Sequence, residues 1–139
     1  MPHPTLRSQE LASSLLANPS HNVEDDMGRV LQRLHVVIGR LAGVTGSFSL
    51  MARALHLAKV EVPWLGTFQI TDEGLLSGSE EGVLPRDPAM RRQGGVILVA
   101  HVIELLHTFI GERLTLQLIK EAWPDLAIFD DDDLKDIQP

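Results

Sequence analysis

The chain has 139 residues, 44% of them hydrophobic and 22% charged, which fits one folded domain with its own core and excludes wholesale disorder. It contains no cysteine, so disulfides, thiol catalysis and zinc-ribbon or iron–sulfur ligation by this chain are excluded. A net charge of −7, a pI near 5.2 and 4% aromatic residues argue against general duplex binding, which needs a basic footprint, and against stacking on single strands.

The N-terminus, Met1-Pro2-His3-Pro4, has no basic region followed by a long apolar run, so no signal peptide is expected. Residues 1–21 read as a lead segment with a helical pattern over 5–17, ended by Asn18-Pro19-Ser20. Residues 22–126 read as a single helical domain. It opens with Glu24, Asp25 and Asp26, acids suited to the positive end of a helix dipole. Val30, Leu31, Leu34, Val37, Ile38 and Leu41 then form one helical stripe, which predicts a helix over 23–42.

Gly43-Val44-Thr45-Gly46 is expected to stop that helix, with Ser47 capping the next. Phe48, Met51, Leu55, Ala58 and Val62 recur at alternating steps of 3 and 4, predicting a second helix over 47–62 with a packing seam. The short connection implies that the two lie antiparallel. Over 66–79, Phe68 and Ile70 alternate with polar neighbours around Thr71-Asp72-Glu73-Gly74, which predicts a small β-hairpin leaning on the helices.

Asp87 is placed to cap a helix that starts at Pro88 and runs to Ile110. Gly94 and Gly95 weaken its first half by roughly 1 kcal/mol each. The stretch from Val96 to Ile110 is apolar around most of its girth, yet it holds His101, Glu104 and His107. It reads as too short and too polar to span a bilayer. Such a helix needs cover on more than one side, as a central helix or as half of an oligomer interface. A fourth helix is expected over 112–122, closed by Trp123-Pro124, and residues 127–139 form an acidic tail with Asp130 to Asp133. The fold class is therefore mostly α: two antiparallel helical hairpins forming a four-helix bundle-like body, with one β-hairpin inserted. A glycine-containing break followed by a helix ending near Trp and Pro occurs twice (Pro63-Trp64 and Trp123-Pro124). Chance resemblance between amphipathic hairpins is the simpler reading of that echo.

Three groups of side chains bear on function. His101, Glu104 and His107 stand at successive steps of three, and Glu104-Leu-Leu-His107 has the Glu-x-x-His form of carboxylate-bridged di-iron bundles. Only one copy is present, so a solvated or interfacial polar stripe is the simpler reading, a buried hydrogen-bonded network is the second, and a divalent-metal or small-ligand site is the further alternative. Arg29, Arg33 and Arg40 share one face, and no acid stands between Met27 and Val60. That face is a solvated helix surface or an anion site, and the Asp tail is a candidate partner for it. Val99, Val102, Leu105, Leu106 and Phe109 are expected to form an interface, because the third helix carries more apolar surface than the other helices cover. His56 reads as a surface residue, and Trp64 and Trp123 as core plugs at helix ends. The sequence has no phosphate loop, dinucleotide fingerprint or nucleophile elbow. The expected function is a non-enzymatic, cytoplasmic protein–protein interaction or regulatory module that needs no cofactor. Its expected partner is another protein or a second copy through 96–110, with no general nucleic-acid binding and no membrane span.

Overall fold

A computed structural model describes residues 4–16, 23–71, 76–77 and 87–124. They are mostly helical: α1 (Leu6–Leu16), α2 (Val23–Glu61), a 3-10 turn η1 (Pro63–Thr67), strands β1 (Gln69–Ile70) and β2 (Leu76–Ser77), α3 (Pro88–Ile110) and α4 (Glu112–Ala122). The expected turn at 72–74 and the acidic tail lie outside the described residues.

The described part of the lead segment, residues 4–16, packs into the core. The Thr5 hydroxyl accepts a hydrogen bond from the Ser8 amide at 3.1 Å, which caps α1. Leu11, Ala12, Leu15 and Leu16 then share one face, and all are buried in the same core as the later helices. Residues 6–16 of the expected lead segment thus pack against the helices of the expected domain 22–126.

The break in α2 is one residue rather than four. Gly43 adopts φ 82° and ψ 164°, a region open essentially only to glycine, and helical geometry holds on both sides of it. Ser47 is therefore not a cap. It lies inside the second half of α2, fully buried, with its hydroxyl 2.7 Å from Nδ1 of His35 and 3.3 Å from the His35 carbonyl oxygen. This contact ties the two halves together across the corner. The predicted stripe of the first half is buried except for Leu41, which is 48% exposed. It lies two residues before the corner, where the helix runs out of neighbours.

β1 and β2 pair antiparallel, with Gln69 opposite Ser77 and Ile70 opposite Leu76, as the alternating pattern predicts. Phe68 and Ile70 are buried against the helices. The start of α3 also matches expectation: Asp87 accepts from the Ala89 amide at 2.9 Å, and Pro88 occupies the first turn. The paired glycines gain a reason. A Cβ on Gly94 would meet the indole of Trp64, within 2.9 Å of Cε2 and closer to Cζ2. Gly94 thus gives up helix propensity to seat a tryptophan, which itself stands edge-on to Phe68.

α3 is the central element, packed on α1, α2 and α4, with every residue from Gly94 to Ile103 buried. By length and composition alone, Met27–Glu61 and Pro88–Ile110 are apolar enough to cross a membrane. The first is interrupted at Gly43, and the second is largely covered by this chain's own helices, as a core helix is. α4 ends the described chain, with Thr115, Leu116, Leu118 and Ile119 facing the core.

Candidate functional site

The three polar residues of α3 do not converge. His101 is buried, and its Nε2 lies 2.9 Å from Oε2 of Glu61, 40 residues earlier at the end of α2. Glu104 points elsewhere: Oε1 accepts the Thr5 amide at 2.7 Å, and Oε2 stands 3.6 Å from Nδ1 of His107, longer than a hydrogen bond. Nε2 of His107 is buried without a hydrogen-bond partner. Among the described residues no three His, Asp or Glu side chains are grouped so as to hold a metal. The stripe is a set of ties instead. His101 fastens α3 to the end of α2, and Glu104 fastens it to the start of α1.

The arginine face divides in two. Arg33 donates from Nη1 to the Ala122 carbonyl at 3.2 Å, and its guanidinium lies 5.5 Å from the centroid of the Trp123 ring. It thus occupies an orphan carbonyl at the C-terminal end of α4 and stacks on the buried tryptophan there. Arg29 and Arg40 are exposed. An anion site formed by all three therefore has one member already committed to structure.

The expected interface is also divided. Val99, Val102 and Leu106 are buried in this chain's own core. Leu105 is partly buried against that core, and Phe109 alone is open to solvent, at 66%. The cover on α3 is greater than the sequence suggests, because α1 packs on one of its sides. His56 is exposed, Trp123 is buried and Trp64 is partly buried.

Sequence reasoning missed two polar pairs, His35 with Ser47 and His101 with Glu61. The partners are separated by 12 and 40 residues, and no local spacing announces either. Ser47 is sealed from solvent, so its approach to an imidazole is a buried hydrogen bond and not an accessible nucleophile. Comparison with protein-family models, curated proteins and solved structures gives no match.

Proposed function

We propose that the chain is a non-enzymatic protein–protein interaction module, built as two antiparallel helical hairpins that dock through one end of the bundle. The contacts support that arrangement. Glu61 on His101 and Trp64 against Gly94 run the second half of α2 opposite to α3. Thr5 on Glu104, with Leu16 against Gly95, runs α1 opposite to α3 as well. The corners at Gly43 and Gly111 and the start of α1 then share one end.

The observation that carries the reading is what is exposed there. Leu6 is 77% exposed, Val44 62% and Phe109 66%, with Leu41 and Leu114 also open, while His101 and Glu104 of α3 are tied to Glu61 and to the Thr5 amide. An apolar end rimmed by polar helix faces fits a protein partner. We assign a second copy as the occupant. Five side chains fall short of the roughly 800 Å² per partner of a standard interface, so the association is weak and concentration-dependent. In this reading the partner is neither nucleic acid nor bilayer, no cofactor is required, and the compartment is the cytoplasm. The alternative of a metal- or small-ligand-binding bundle at His101, Glu104 and His107 gains no support from the geometry.

Sedimentation equilibrium from micromolar to millimolar chain tests the proposal. A rising average mass is expected, reduced to the monomer value by Phe109→Ser or Val44→Ser with helicity and melting unchanged. A monomer throughout overturns self-association. A mass that neither variant alters moves the interface away from this end.

A further inference from the structure

We infer that the C-terminal residues 125–139 dock back on the exposed face of α2 carrying Arg29, Val36 and Arg40. The inference rests on a different surface from the apolar end described above and does not depend on it. Its starting point is the place where α4 finishes. Arg33 holds the Ala122 carbonyl and lies over the Trp123 ring, so the chain leaves Pro124 beside the middle of that face. Fifteen residues follow, with Leu126, Ile128 and Phe129 leading into Asp130, Asp131, Asp132 and Asp133.

The face has the complementary chemistry. Arg29 and Arg40 are exposed on either side of Arg33, and Val36, 48% exposed, lies between Arg33 and Arg40. Among the described residues neither Arg29 nor Arg40 has an ion-pair partner, while Glu61, Glu104 and Glu112 pair with other residues. No acid interrupts the sequence between Met27 and Val60; the acids nearest the exit in sequence are Asp125, directly after Pro124, and Glu121 on the last turn of α4. The distances suit the pairing. Asp130 is six residues beyond Pro124, a reach of up to about 20 Å for extended chain. Arg40 is only about 10 Å along the helix from Arg33. Docking places carboxylates on guanidinium groups and an apolar segment on the exposed valine.

The absence of cysteine allows one nitroxide to be placed, through Gln138→Cys, in the otherwise intact chain. The Phe109→Ser background keeps the result separate from the self-association reading. At low salt the backbone amide signals of residues 29–40 are expected to lose intensity selectively. The loss should vanish at about 1 M salt, where the screening length falls to about 3 Å. It should vanish equally when Asp130→Asn, Asp131→Asn, Asp132→Asn and Asp133→Asn are combined, or when Arg29→Ser and Arg40→Ser are. Both arginines are exposed, so the fold is not at stake, and unchanged signals elsewhere check this. Four results overturn the proposal: no loss at 29–40, loss centred on other basic positions such as Arg53 or Arg113, loss that survives neutralisation, or loss that appears only between mixed copies.

Discussion

Adjacent glycines on α3 give opposite predictions from the same chemistry. Alanine at either position recovers up to about 1 kcal/mol of helix propensity. At Gly95 the new Cβ stands 3.4 Å from Leu16 Cδ1 and 3.6 Å from Met27 Sδ, ordinary packing distances, so Gly95→Ala should stabilise the chain by about 0.5–1 kcal/mol. At Gly94 the new Cβ falls within 2.9 Å of the Trp64 indole. A ring cannot bend away as a flexible chain end does, and it is braced edge-on by Phe68 at 5.8 Å. Relief therefore means moving η1. Overpacking of this kind costs about 1–3 kcal/mol, which outweighs the propensity gain and leaves Gly94→Ala destabilising by about 1 kcal/mol. Urea and thermal unfolding read both values, with melting shifts of about 4 °C per kcal/mol in opposite directions. In a Trp64→Ala background the Gly94 substitution should become stabilising, a coupling of about 2 kcal/mol. Equal stabilisation by both alanines in the unaltered chain refutes the reasoning.

The remaining predictions concern corners and ties. Gly43→Ala and Gly111→Ala should each cost about 1–3 kcal/mol by unfolding, because both positions hold a glycine-only backbone at φ 82° and φ 88°. A methyl group at either position would meet nothing within 4 Å, so the cost is conformational and not steric crowding. Ser47→Ala should cost about 1–3 kcal/mol by leaving the buried His35 nitrogen without its partner, with helicity retained by circular dichroism. Arg33→Ala should cost about 1 kcal/mol, and Arg33→Lys should restore only part of it, because lysine keeps the charge without the planar group over Trp123. Added zinc or iron should leave the melting temperature unchanged, since His101 is paired with Glu61 away from Glu104 and His107.

What the sequence revealed and what it concealed divide along a physical line. Elements set by periodicity and local caps were legible. Asp87 and Pro88 announced the start of α3, and the stripe from Val30 to Ile38 announced its own burial. Elements set by tertiary contact were not. Nothing local distinguishes Gly43, which takes the whole corner, from Gly46, which stays helical. The polar stripe on α3 was visible as spacing, but spacing does not say which way an imidazole turns, and Glu61 lies on another helix. The exposed arginines were legible as a charged face; that Arg33 holds the end of α4 depends on a packing geometry no single helix encodes. The cover on α3 was underestimated for the same reason, since Leu11 and Leu15 show an apolar face without naming its partner.

The two glycine corners carry the internal echo further than residue identity does. Gly43 and Gly111 lie 68 residues apart with nearly the same backbone angles, φ 82°, ψ 164° and φ 88°, ψ 160°. Shifted by that interval, buried Leu31, Leu34, Ile38, Ser47 and Met51 fall on buried Val99, Val102, Leu106, Thr115 and Ile119. One end of each long-range tie follows the same shift, and the other does not: Glu61 lies 18 residues beyond Gly43 and Ala122 11 beyond Gly111. Arg33 ties the first half of α2 to the end of α4, and His101, its counterpart on α3, ties α3 to the end of α2. Amphipathic periodicity by chance reproduces spacing along one helix, but it does not dictate a glycine-only angle at the matched corner. The matched angle is what a helix–glycine–helix unit used twice would give, while chance resemblance between amphipathic hairpins still accounts for the apolar register. The two ties differ in chemistry and in burial, an exposed guanidinium on a carbonyl and a buried imidazole on a carboxylate, so the likeness of the two halves rests on the corner angles and the apolar register.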